Sequence, residues 1–227
     1  MAPKIQPYIS KLTASHRVVL LGGLAVIAHG FSRNTKDVDI WLDPLDDARD
    51  WLAVILETNR AFEGLSIHSL PGWQELKGEE LITNIESVGM VRILGLECPL
   101  DIFRIPNGLS ASDFQRVWSS GSVMDDGTHL PTTVELLATK ENTGRSRDFG
   151  DWNYLISKAR QEQGHALAKA RSVEEASSLL ADYFDYEICE RGLKNPHPEV
   201  RNIILEELKI LAADGDPFAR EILANHQ

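Results

Sequence analysis

Apolar residues recur at both strand and helix spacing through the first 130 positions of the chain and at helix spacing alone after them. Val18 to Leu21 is an unbroken apolar run, the pattern of a strand buried on both faces. Gly22-Gly23 interrupts it, Leu24 to His29 suits a short helix, and Gly30 fits its C-terminal cap. After a polar loop from Phe31 to Lys36, the segment 37–42 (DVDIWL) alternates polar and apolar. That predicts a strand with Val38 and Ile40 towards a core and Asp37 and Asp39 on the other face.

Asp46 to Arg60 predicts an amphipathic helix whose apolar side holds Trp51, Leu52, Val54, Ile55 and Leu56. Residues 62–88 have no sustained period; Ser66 to Leu70 fits a strand and Glu75 to Ile85 a short helix. Gly89 to Leu94 and Cys98 to Arg104 predict two strands joined tightly through Gly95. A helix over Ser110 to Ser119 and short strands around Asp126-Gly127 follow. Beyond Pro131 the chain reads as helices: Thr132 to about Asn142, opened by a Thr132-x-x-Glu135 capping box; Arg147 to Gln161; Ser172 to about Arg191; one after Pro198; and one opened by Asp216-Pro217. The expected fold is α/β (α+β), a mixed sheet flanked by helices over residues 1–130, followed by an all-helical part over 131–227.

Composition narrows the function classes. At 227 residues the chain has room for one large domain, or for a domain of about 130 to 160 residues with a helical extension. The formal net charge of −11 argues against extensive DNA binding, which needs a broad basic face. The longest apolar run, Val18 to Ala28, is too short to span a membrane, and no signal-peptide pattern opens the chain. Cys98 and Cys189 have no metal-ligand spacing and read as buried free thiols of a reducing compartment, so a cytoplasmic protein is expected.

The candidate chemistry centres on Asp37 and Asp39. Side by side on a strand face, two carboxylates repel unless a cation lies between them. Mg²⁺ takes such oxygen ligands and leaves positions for substrate phosphates. Asp101, a lone charge in an apolar strand, is the best third carboxylate. Gly22-Gly23, between a strand and a helix, suits close approach of the backbone to an anion. Neither a Walker A loop nor a G-x-G-x-x-G fingerprint is present.

The set Gly22-Gly23, His29-Gly30 and Arg33-x-Thr35-x-Asp37-Val38-Asp39 resembles the signature of the polymerase-β-like nucleotidyltransferase superfamily. Its spacing is similar to that of the AbiE-type and MenT-type toxin nucleotidyltransferases. Downstream, Lys140-x-x-x-Gly144-Arg145-x-x-Asp148-x-x-Asp151 resembles the segment in which those proteins place a lysine and acidic residues beside the nucleotide. The resemblance covers roughly residues 18 to 155 and leaves the chain beyond 165 unassigned.

The resemblance implies transfer of a nucleoside monophosphate from a nucleoside triphosphate to an acceptor hydroxyl, on a protein, an RNA 3′ end or a small molecule. Asp37, Asp39 and Asp101 would be the catalytic, metal-binding carboxylates of a two-Mg²⁺ site. Gly22, Gly23, Arg33, Thr35 and Lys140 would bind the nucleotide. In many relatives a serine stands at the second glycine position, so its hydroxyl is missing here. Each role has a plainer rival. Arg33 fits a solvated loop residue, Thr35 a turn residue bonded to its own backbone, and Lys140 a lysine lying along an apolar stripe. Asp148 and Asp151 fit ion pairs with Arg145, Arg147 or Lys140. His29 fits the packed end of a helix. The competing function is a catalytically silent nucleotidyltransferase-like module that binds nucleotide or a protein partner.

Overall fold

The computed structural model describes residues 2–141 and 148–226 and divides the chain into two compact units, Met1–Trp152 and Asn153–Gln227. The first unit is built on one seven-stranded mixed sheet. In chain order the strands are β1 (Val18–Leu21), β2 (Val38–Leu42), β3 (Ser66–His68), β4 (Met90–Leu94), β5 (Leu100–Phe103), β6 (Ser122–Val123) and β7 (His129–Leu130). They lie in the order β3-β4-β5-β2-β1-β7-β6. β2 runs parallel to β5 and antiparallel to β1, while β4 runs antiparallel to both β5 and β3.

Helices α1 (Ile5–Thr13), α2 (Gly22–Ala28), α3 (Ala48–Asn59), α4 (Gly78–Val88), α5 (Phe114–Ser120) and α6 (Thr133–Ala138) complete this unit with the start of α7 (Asp148–Lys169). α1, α3 and α4 each bury one apolar stripe: Tyr8, Ile9 and Leu12; Trp51, Leu52 and Ile55; Leu81, Ile82 and Ile85. Leu56, expected on the buried side of α3, is 43% exposed. It stands on the outer shoulder of the stripe that Leu52 and Ile55 define. α5 is preceded by a 3-10 turn at Ala111–Asp113 and sits beside β1, with the Phe114 ring edge-on to Trp41 at 5.0 Å.

Register, more than any single residue, organises the site. Neighbouring residues across a sheet share a face. The pairings place His68, Arg92, Asp101 and Asp39 in one row across β3, β4, β5 and β2, with Leu21 of β1 at its end. The adjacent rows face the other way and are apolar: Ile67, Ile93, Leu100 and Val38 on one side, Val91, Ile102, Ile40 and Leu20 on the other. The charged row is the only polar stretch in these buried central strands, so its residues are forced towards one another.

The second unit is helical: α8 (Val173–Asp182), α9 (Tyr186–Gly192), α10 (Pro198–Ala213) and α11 (Pro217–Asn225), with the later turns of α7. One core holds Leu167, Ala176, Leu180, Ile188, Cys189, Val200, Ile204, Leu208 and Ile222. The buried Asn195 ties it down by donating to the carbonyls of Leu167 and Ala170, both at 2.8 Å, at the end of α7. The single helix expected from Ser172 to Arg191 is two. Asp185 interrupts it, its carboxylate accepting from the Glu187 N–H to start α9. Thr132 and Glu135 form the expected capping box, but α6 closes at Ala138. Cys189 is buried as expected; Cys98 is only partly so. Among the described residues no helix is long and apolar enough to cross a membrane.

Candidate active site

β1 passes directly into α2, with Gly22 as the first helical residue at φ +59° instead of a separate glycine turn. Both glycines serve close approach. A Cβ on Gly22 would fall 1.9 Å from Asp39 Oδ2, and one on Gly23 would fall 2.7 Å from Thr35 Oγ1. The Thr35 hydroxyl thus stands where a side chain at position 23 would go. It donates to the Asp37 carbonyl at 3.2 Å and to Asp37 Oδ1 at 3.1 Å, orienting that carboxylate just before β2 begins. The backbone bond expected of Thr35 is present, and its hydroxyl reaches a candidate ligand as well.

Asp39 and Asp101 are register partners on parallel strands, and the next residue of the row, Arg92, is the partner of Asp101. Arg92 grips Asp101 with two hydrogen bonds, Nε to Oδ1 at 2.5 Å and Nη2 to Oδ2 at 2.7 Å. Its Nη2 also lies 3.8 Å from Asp37 Oδ2. The Trp73 ring covers the guanidinium at 3.7 Å, and His68 Nδ1 meets the Trp73 carbonyl at 2.9 Å. The hydrogen bonds that Arg92 donates to Asp101 outweigh burial and raise the Arg92 pKa above its ordinary value, helped by the charges of Asp37 and Asp39.

Among the described residues no hydrogen bond reaches the Asp39 carboxylate. Burial, then the charges of Asp101 and Asp37, push its pKa up to about 6, against the opposing pull of Lys140 and Arg92.

Arg33 and Lys140 join from another side. Arg33 Nη1 donates to Asp151, and Lys140 Nζ lies 3.3 Å from Asp151 and 3.8 Å from Asp148. Asp151 is almost wholly buried, and Lys140 is 10% exposed along its side chain. The rival reading of Asp148 and Asp151 as ion-pair partners holds for Lys140, and Arg33 is a paired residue at the Gly23 backbone. Gly144, Arg145 and Arg147 lie outside the described residues. His29 follows α2, and its Nε2 meets the Pro131 carbonyl at 2.9 Å.

The donor chemistry suits a divalent cation at Asp37 and Asp39. Asp37 and Asp39 stand two residues apart with interacting charges, whereas both oxygens of Asp101 are held by Arg92. Among the described residues no group of three His, Cys, Asp or Glu is arranged to hold a metal ion. The three aspartates and Arg92 together leave two formal negative charges, while Lys140 and Arg33 balance Asp148 and Asp151. Mg²⁺ is commonly held by one or two carboxylates plus substrate phosphates, so the Asp37–Asp39 pair suits it.

Sequence reasoning missed Arg92 and Trp73. Arg92 carries the same signal that singled out Asp101, a lone charge inside an apolar strand, MVRIL. Trp73 lies in the stretch without periodicity and carries no such signal.

No protein-family model matches the chain, and no curated protein does. Among solved structures, one from H. pylori named as a candidate nucleotidyltransferase is 16% identical, at a TM-score of 0.41, over 91% of this chain and 94% of that one.

Proposed function

We propose that the chain is a Mg²⁺-dependent nucleotidyltransferase that moves a nucleoside monophosphate from a nucleoside triphosphate to an acceptor hydroxyl. The observation that carries the reading is the Asp39 carboxylate. It is partly buried, accepts no hydrogen bond among the described residues, and feels the charges of Asp37 and Asp101, a trio of aspartates of which Arg92 offsets one charge. A structural role gives no reason to collect such charge, since buried like charges cost stability.

In this reading Asp37 and Asp39 would hold Mg²⁺, and Thr35 keeps Asp37 aimed. Bound there, the ion would supply charge neutralisation during phosphoryl transfer. Lys140, and Arg33 beside Gly23, meet the triphosphate as fixed positive charges. The acceptor oxygen bonds to the α-phosphorus, the bond to pyrophosphate breaks, and the hydroxyl proton is released. Most of the catalysis is positioning and charge compensation. The acidic balance of the chain favours a protein side chain or a small molecule over a large RNA as acceptor.

The test is label transfer. Incubated with cell-extract protein, RNA or metabolites and Mg²⁺, the protein should transfer label from α-phosphate-labelled NTP and none from γ-labelled NTP. Transfer from the γ-position would make it a kinase. The alternative, a silent module, draws on the ion pairs that already occupy Asp101, Lys140 and Arg33; its signature is NTP binding with no transfer to any acceptor.

A further inference from the structure

We infer that Arg92 is a built-in second cation, and that the site takes one divalent metal ion where a third free carboxylate would let it take two. The inference rests on the nucleotidyltransferase reading for its substrate, but not for its geometry. Arg92 comes from the strand next to Asp101, in register with it, so the backbone ladder sets the pair. Two hydrogen bonds fix the guanidinium in the plane of the carboxylate, and the Trp73 ring closes its face at 3.7 Å. A guanidinium held by a bidentate carboxylate and an aromatic face is preorganised, unlike a surface arginine that must be ordered on binding.

The consequences follow from which atoms are committed. Nε and Nη2 of Arg92 serve Asp101, and Nη2 also approaches Asp37 at 3.8 Å. Among the described residues Nη1 makes no hydrogen bond, so it is the donor left for a phosphate oxygen of the nucleotide. Asp101 becomes a positioning residue that aims Arg92. The two negative charges that remain match one divalent ion.

The test uses Mn²⁺ as the probe and counts ions bound to the full-length chain by electron paramagnetic resonance, alone and with α,β-methylene-ATP. One Mn²⁺ per chain is expected for the wild type, and none for the double variant Asp37→Asn/Asp39→Asn. Replacing the ion pair by apolar residues, Arg92→Met with Asp101→Leu, should keep the fold and still bind one Mn²⁺. Arg92→Met alone should release Asp101 and raise the count to two. Two ions in the wild type with one lost in Arg92→Met/Asp101→Leu, or no bound Mn²⁺ at all, would overturn the inference. One Mn²⁺ that responds to Asp37 and Asp39 while no nucleotide binds would leave the inference standing and remove the nucleotidyltransferase reading instead.

Discussion

Gly22 and Asp39 stand closer than any side chain at position 22 would permit: an added Cβ would lie 1.9 Å from Asp39 Oδ2 and 2.5 Å from its Cγ. The strand-to-helix junction and the candidate metal-binding strand are therefore fitted to each other at one atom pair. Gly22→Ala must move the carboxylate or the backbone, and it also places a side chain at φ +59°. Left-handed backbone costs a non-glycine residue about 1–2 kcal/mol. Gly64→Ala is the matched control, with φ +74° and open space around its Cβ. Thermal melts should show only that penalty for Gly64→Ala, about 2–4 °C per kcal/mol in a chain of this size. Gly22→Ala should lose clearly more, together with its Mn²⁺ affinity. Equal losses in both variants, with Mn²⁺ affinity intact in Gly22→Ala, would mean that Asp39 is not held by this contact.

Asp39 also sets a pH dependence. Its pKa rises from 3.8 to about 6 in the folded state. Between those values the folded protein binds more protons than the unfolded one, so stability falls as pH rises through that window. At pH 8 without metal the charged Asp39 costs on the order of 2 kcal/mol, discounted for its partial exposure. Asp39→Asn should then melt higher than wild type at pH 8 in EDTA and no higher at pH 4. Metal binding requires the carboxylate, so the wild-type affinity for Mn²⁺ should fall as pH drops through about 6. A flat affinity from pH 5 to 8 would place the ion elsewhere.

Asp151 links two cations and should be the most sensitive acidic residue outside the row. It accepts from Arg33 and lies 3.3 Å from Lys140, almost fully buried. Removing one partner of a buried ion pair costs roughly 3–5 kcal/mol. Asp151→Ala should approach that range in denaturant melts, while Asp148→Ala, 3.8 Å from Lys140, should lose less. Lys140→Met separates structure from function. If the lysine reaches triphosphate, NTP affinity drops roughly ten-fold or more beyond what stability explains, the scale of a hydrogen bond to a charged group. Unchanged NTP affinity would make Lys140 only the partner of Asp151.

Much of this arrangement is visible in the chain before folding. Asp37 and Asp39 share a face because strand period is two, and Asp101 stands out because the residues around it are apolar. What the pattern does not contain is which strands are neighbours. Arg92 and Asp101 meet because β4 turns back antiparallel onto β5, and Asp101 reaches Asp39 because β5 lies parallel to β2; these are tertiary pairings. Gly22-Gly23 reads as an anion turn from sequence, while in the fold both glycines make room for Asp39 and Thr35. The split of the predicted helix at Tyr183–Asp185 had one local sign, a capping aspartate two residues before Glu187, without a Gly or Pro to reinforce it. Trp73 sits over Arg92 from a stretch with no period at all.

The central claim is that Asp37 and Asp39 bind nucleotide through a divalent ion. Isothermal titration of each NTP into wild type and into Asp37→Asn/Asp39→Asn, with Mg²⁺ and with EDTA, tests it most directly. At least one NTP should bind, only with Mg²⁺ and only when both aspartates are present, while the double variant still melts cooperatively. Binding that survives EDTA or the double substitution, or no binding of any NTP at millimolar concentration, would contradict it.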